Sequence, residues 1–294
     1  MTVIESSLLD AALMAKLERM ELVSRKIFRG RMKGERRSHR KGQSVEFADF
    51  RNYVPGDDLR FIDWNLFARL DRLYLKLFLE EEDLHLYVLI DDSRSMDFGS
   101  PTKLHVAKQI AAALGYIGLC RGDRVCQSTY NRQQPGIFRG RASTYRMLDS
   151  LSGIETSATS LDMTAAVKAF CIRNAHKGIV VLISDLMDKK GYEAALRMLV
   201  ARDLDIFVVH LLSPEELEPE LKGDLKLVDC EDADQREISV SSSLLKRYQQ
   251  TLNSFVEGAK VFCRKRSITY VPARSDVAVD TLIEQYLRVR GLVR

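Results

Sequence analysis

The stretch Leu84-His-Leu-Tyr-Val-Leu-Ile-Asp-Asp-Ser-Arg-Ser-Met96 decides how the chain folds. Its first half is an apolar run rich in β-formers and about seven residues long, the pattern of a parallel strand buried on both faces. The run stops abruptly at two carboxylates and two hydroxyls. In an open α/β sheet the carboxyl end of such a strand is where ligands bind. Asp91, Ser93 and Ser95 stand there at alternate positions, and all three are small oxygen donors of the kind a hard cation such as Mg²⁺ takes. The same residue types also make a common Asp/Ser turn.

Downstream, the pattern alternates between helix and strand. Leu104, Ala107, Ile110, Ala111, Leu114 and Ile117 share one face of a helix over 103–119. A strand is predicted over 123–129, a hairpin edge at 136–138, a short Ser-capped helix over 143–151 and another helix over 161–172. Gly178 to Asp185 is a second buried strand ending in a carboxylate, followed by a helix over 192–201 and a third buried strand over 206–212. A hairpin over 225–240 turns at the acidic 231–234. Ser241–Ser243 caps a long helix that keeps its period through Ala259, and a strand over 268–271 and a helix over 277–288 close the chain. Alternating strands and helices mean an α/β fold with a doubly wound, mostly parallel sheet.

Upstream, residues 7–24 have the spacing of one amphipathic helix. Ser44–Tyr53 and Leu73–Leu79 alternate as strands around the turn Val54-Pro55-Gly56-Asp57-Asp58. The Arg and Asp residues around the only tryptophan, Trp64, imply a folded, ion-paired substructure. The expected division is therefore an N-terminal accessory segment, 1–82, containing a helix, a basic loop and a β-rich part, and an α/β domain, 83–294.

Length and composition are those of a globular protein: 294 residues, 46% hydrophobic, net charge +4. That charge is local. Residues 25–41 hold nine Lys/Arg against one Glu, so the rest of the chain is net negative. The basic run suits a solvated loop or an acidic partner better than nucleic acid, because Phe28 is its only aromatic residue. No apolar run approaches the roughly 18 residues that cross a bilayer, and Glu5 and Asp10 interrupt any signal-peptide pattern. Five scattered cysteines without a Cys-x-x-Cys pair suit free thiols in a reducing compartment. A cytoplasmic protein is expected.

Three segments bring oxygen donors toward one sheet edge: Asp91, Ser93 and Ser95; Thr159 in the loop before a helix; and Asp185 after the second buried strand. This pattern resembles the von Willebrand factor A fold and its metal-ion-dependent adhesion site, in which an Asp-x-Ser-x-Ser loop, a Thr and a later Asp surround one divalent cation. The resemblance implies Asp91, Ser93, Ser95, Thr159 and Asp185 around one Mg²⁺, or Mn²⁺ or Ca²⁺, with a position left for a partner's carboxylate. Two features depart from it: Ser157-Ala158 stands where a Gly usually precedes the Thr, and Arg94 lies inside the loop.

The segment Glu46-Phe-Ala-Asp-Phe-Arg-Asn-Tyr-Val-Pro-Gly-Asp-Asp58, with Arg60, Ile62-Asp63-Trp64 and Ala68-Arg69, resembles the signature of a bacterial family, domain of unknown function 58. The likeness runs over about 20–290. It implies a von Willebrand factor A-like domain, no enzymatic activity, and a partnership with a MoxR-type AAA+ ATPase in chaperone-like assembly or maturation of a client complex. Arg60, Asp63 and Trp64 are candidates for a partner surface, although a role in holding the segment together accounts for them as well. Two other functions compete. A haloacid-dehalogenase-like Mg²⁺ phosphatase also ends its first strand in Asp, but needs a second Asp where Ser93 stands. A nucleic-acid binder would use residues 25–41.

Overall fold

The strand that begins at His85 lies inside a six-stranded sheet, with a parallel neighbour on each side. The computed structural model describes residues 8–24, 46–79, 84–131, 136–157, 162–221, 223–229 and 235–294. It divides into two compact units, one of Met1–Lys26 with Leu84–Arg294 and one of Ile27–Asp83. The basic run 25–41 lies outside the described residues.

The larger unit opens with α1 (Ala11–Leu17), capped by the Asp10 carboxylate, which accepts the Leu13 N–H at 2.6 Å. This helix is shorter than the pattern over 7–24 predicts, because residues 21–23 leave it to pair with the C-terminal residues. Glu21 and Arg294 exchange two backbone hydrogen bonds, and the Val23 N–H donates to Leu292 O. Helix α1 belongs to this unit, so the accessory portion of the chain starts at residue 27.

The smaller unit pairs β1 (Glu46–Asn52) antiparallel with β2 (Tyr74–Leu79), with one register irregularity between Phe47 and Asp49. Between them, a 3-10 turn at Leu59–Phe61 leads into α2 (Trp64–Leu70). The predicted ion pairing is present: Arg51 with Asp57 at 2.7 Å, Arg60 with Asp58 at 2.5 Å and Lys76 with Asp63 at 3.1 Å. Ile62 and Leu75 are buried and bridge one another.

The larger unit resumes with β3 (His85–Ile90), α3 (Lys103–Cys120), β4 (Arg124–Thr129), β5 (Gly136–Arg139), α4 (Thr144–Ser152), α5 (Met163–Arg173) and β6 (Gly178–Ser184). It continues with α6 (Glu193–Val200), β7 (Leu204–Leu212), the single turn α7 (Pro214–Leu217), β8 (Gly223–Val228), β9 (Gln235–Val240), α8 (Ser242–Arg264) and β10 (Thr269–Arg274). The turn α9 (Val279–Thr281) runs into a π-helical segment, Leu282–Leu287, in place of the regular helix expected over 277–288. Across the sheet the order is β10-β7-β6-β3-β4-β5, parallel except for the edge strand β5. Strands β8 and β9 form a separate antiparallel hairpin, whose turn 231–234 lies outside the described residues.

The side-chain alternation of β3 sorts the core into two layers. Leu86, Val88 and Ile90 pack in the cluster that holds α3, α1 and the C-terminal segment. Tyr87 and Leu89 pack in the cluster that holds α5, α6 and the end of α8. Helices cover both faces of the mostly parallel sheet, the arrangement that the near-continuous apolar strands require. At the base of β6 the strands approach so closely that only glycine fits: a Cβ on Gly178 would lie 2.1 Å from the His85 carbonyl oxygen.

Candidate functional site

The site grows from the register of β3 and β6. Ile90 is paired with Ile183, and the Asp91 N–H donates to Ile183 O at 2.9 Å, so the residues after each strand emerge side by side at the carboxyl edge. Asp91 accepts from the Ser184 hydroxyl through Oδ2 at 2.6 Å and from the Ser93 N–H through Oδ1 at 3.0 Å. The second bond closes an Asx-type turn into the 3-10 segment Arg94–Asp97, which is seated by the fully buried Met96. The turn brings the Ser93 and Ser95 hydroxyls to 3.0 Å of one another, and the Ser95 hydroxyl also hydrogen-bonds the Asp185 carboxylate. Arg94 is exposed.

Past β6 the chain turns sharply. Leu186 is buried at φ +59°, in the left-handed region that branched side chains rarely adopt. Two local bonds hold it there: Leu186 N–H to Ser184 Oγ at 2.8 Å, and Met187 N–H to Asp185 Oδ1 at 3.1 Å. The turn leaves Asp185 buried and facing the Asp91 loop.

Sequence reasoning missed the partner of Asp185. The Lys103 ammonium, fully buried, lies 2.7 Å from Asp185 Oδ2 and 2.5 Å from Glu216 Oε1. In the sequence, Lys103 reads as the first residue of an amphipathic helix. The signal was a charge at a helix start whose neighbouring turns are buried. Burial opposes ionisation of this lysine, but Asp185 and Glu216 outweigh it and hold its pKa above the usual lysine value. Burial likewise pushes Asp185 up, yet Lys103, with hydrogen bonds from Met187 and Ser95, keeps it below the usual carboxylate range. Asp91 goes the other way. Burial, and then the charge of Asp185, push it up to about 7 despite its hydrogen bonds from Ser184 and Ser93.

Two further groups complete the rim. The Tyr130 hydroxyl is buried beside Ser184, and its ionisation is suppressed by burial and by the Asp91 charge. Asp92 O accepts the Ser157 N–H at 2.7 Å, while its carboxylate takes the Asn131 N–H at 3.2 Å. The first bond ties the loop before α5 to the Asp91 loop, and the second ties the residues after β4 to it. Thr159 itself lies outside the described residues. Asp91, Ser93, Ser95 and Asp185 are therefore gathered. Arg60, Asp63 and Trp64 belong to the smaller unit, where Asp63 is a buried cap, Arg60 is paired with Asp58, and Trp64 is 61% exposed. Among the described residues there is no cluster of three or more His, Cys, Asp or Glu able to hold a metal. Any cation at the rim would rely on hydroxyl oxygens. No helix among them is long and apolar enough to cross a membrane.

Residues 49–255 match the family described as protein of unknown function DUF58. The chain belongs to the DUF58 family. Uncharacterized proteins from Mycobacterium tuberculosis and Mycobacterium bovis are each 26% identical over 242 residues, 80% of this chain and 76% of theirs. Among solved structures, the conserved hypothetical protein BatB from Bacteroides thetaiotaomicron aligns with 70% of this DUF58 chain and 98% of its own, at 16% identity and a TM-score of 0.42. An aerotolerance-related membrane protein from Bacteroides fragilis aligns with 70% of this chain and 99% of its own, at 15% identity and a TM-score of 0.39.

Proposed function

We propose that the larger unit is a von Willebrand factor A-like, non-enzymatic binding module whose sheet edge takes one divalent cation and, through it, an acidic side chain of a protein partner. The observation that carries this reading is the convergence of Asp91, Ser93 and Ser95 with Asp185 at the ends of adjacent parallel strands, with the two serine hydroxyls 3.0 Å apart. The donor set fits the ion. It is all oxygen, the donor type that Mg²⁺ or Mn²⁺ takes, and combines carboxylates with hydroxyls. It includes a buried carboxylate, Asp91, that has no salt-bridge partner among the described residues, and it adjoins the buried Tyr130 hydroxyl. Asp91, Ser93 and Ser95 would hold the ion, with Thr159 supplied by the loop that Ser157 anchors. Asp185 would act from behind, because the buried Lys103 ammonium already neutralises it. When bound, the ion supplies an electrophilic position for a carboxylate from outside.

The partner follows from the family resemblance: a MoxR-type AAA+ ATPase, with the module linking it to a client complex in chaperone-like assembly or maturation. Ser93 at the position where a phosphatase would carry its second aspartate favours binding over phosphoryl transfer. The test is a thermal melt. Mg²⁺ or Mn²⁺ should raise the melting temperature of the wild type and not that of Asp91→Ala. Identical wild-type melts in EDTA and in excess metal would overturn the reading. A pull-down with the ATPase should lose recovery in Ser93→Ala and in EDTA, and equal recovery in all three would mean a contact independent of the metal.

A further inference from the structure

The ammonium beside Asp185 is built into the fold. Thr102 caps α3, and the Lys103 N–H donates to Phe98 O at 3.0 Å, so the lysine is fixed at the first helical position. Its second partner is just as constrained. Glu216 closes a capping box with Ser213: its Oε2 accepts the Ser213 N–H at 2.7 Å, and its own N–H donates to Ser213 Oγ at 3.2 Å. The Tyr248 hydroxyl, from α8, donates to Glu216 O at 2.8 Å. Gly99 packs so tightly here that a Cβ on it would lie 2.8 Å from Ser213 Cβ. Backbone N–H groups thus hold both carboxylates against the lysine, Met187 on Asp185 and Ser213 on Glu216.

We propose that Lys103 is the resident counter-cation of the rim, and that by holding Asp185 it keeps the divalent-ion affinity of the Asp91–Ser93–Ser95 loop low. The proposal rests on the cation-site reading above and adds the residue that sets its strength. A positive charge one carboxylate away repels an incoming dication and consumes the Asp185 charge that would attract it, and both effects are magnified where water is excluded. A rim weakened in this way retains its ion best when a partner's carboxylate completes the shell. Metal capture and partner capture then become a single event. The rival expectation is that Lys103 only orients Asp185, and it has the opposite sign: removing the ammonium would then loosen the ion.

The test measures Mn²⁺ binding to the full chain by isothermal titration, with free Mn²⁺ followed independently by electron paramagnetic resonance. Lys103→Met should bind Mn²⁺ at least tenfold more tightly than wild type, and Asp91→Ala should abolish binding in either background. Lys103→Met leaves the buried Asp185 and the part-buried Glu216 without a cation, so the same measurement is made on Lys103→Met/Glu216→Gln. There the glutamine carbonyl still accepts from the Ser213 N–H. Tighter Mn²⁺ binding in the double variant supports the proposal even if the single variant does not fold. Asp91-dependent binding in wild type that is unchanged or weaker in the lysine variants overturns the proposal and leaves the cation site standing. No Mn²⁺ binding in any of these proteins overturns both.

Discussion

His210 is the buried base whose chemistry is easiest to isolate. It sits on β7, paired in register with Ser184, with Nδ1 2.5 Å from the Tyr270 hydroxyl and its ring edge-on to Phe255. Burial drops its pKa to about 4, and the nearby Asp185 charge recovers only part of that. The unfolded chain, whose histidine titrates near 6.5, binds the extra proton first as pH falls. The neutral imidazole's contribution is thus complete above about 6.5, is lost progressively down to about 4, and is constant below that. Between pH 7 and pH 4.5 this amounts to about 2–3 kcal/mol. The urea midpoint of wild type should fall over this range by more than that of His210→Gln, and parallel pH profiles would refute the assignment. Neither His210 nor Lys103 was legible as a buried charge-bearing group in the sequence. His210 sits in an apolar run and Lys103 at the start of an amphipathic helix, both with ordinary spacing, and only the packing of distant elements around each creates the electrostatic problem. Asp91, Ser93, Ser95 and Asp185 were legible, because a strand that ends in small oxygen donors announces itself locally.

At the scale of single elements, capping decides more than periodicity does. Asp63 accepts the Asn65 and Leu66 N–H groups at 2.9 and 3.1 Å and pairs with Lys76. Helix α2, with Trp64, Phe67 and Leu70 all exposed, has no buried residue of its own. A seven-residue helix with so little burial depends on its ends. Asp63→Ala should speed hydrogen exchange of the α2 amides by a factor of roughly five, the value of one lost cap, whereas Trp64→Ala should leave the exchange of the smaller unit nearly unchanged. Equal effects would mean that α2 is held by its side chains. Capping also accounts for what the sequence pattern misplaced. Ser143 precedes α4 but makes no side-chain cap, because its hydroxyl donates to Arg139 O at 2.8 Å. The periodic stretch over 7–24 stops being helical after residue 17, where β-type pairing with residues 292–294 competes for the same backbone groups. The three buried strands were placed to within two residues of their bounds, since a run apolar on both faces has few alternatives once its length is fixed.

At the scale of the molecule, the smaller unit is an insertion into the larger one. The chain leaves after Ser24, whose hydroxyl bonds Asp205 at 2.5 Å, and returns at Leu84, whose carbonyl accepts the Arg124 N–H at 2.9 Å. Asp205 pairs with Ile179 and Ile179 with Leu86, so exit and re-entry lie two strands apart, about 10 Å at the usual strand spacing. Both are at the amino edge of the sheet, whereas Asp91 and Asp185 emerge at the carboxyl edge. The terminal pairing of Glu21 with Arg294 and the burial of Leu22 and Val293 hold the N-terminal segment independently of residues 27–83. Replacing residues 27–83 with a flexible Gly/Ser linker of about eight residues, whose typical span of roughly 15 Å covers that gap, should therefore leave the larger unit folded. Cooperative urea unfolding should persist, and so should the Asp91-dependent rise in melting temperature with Mn²⁺. Loss of cooperative unfolding would show that the larger unit needs the insertion to fold. Retained folding with a lost metal response would instead mean that the insertion contributes to the rim, and that the cation site is not the property of one sheet edge.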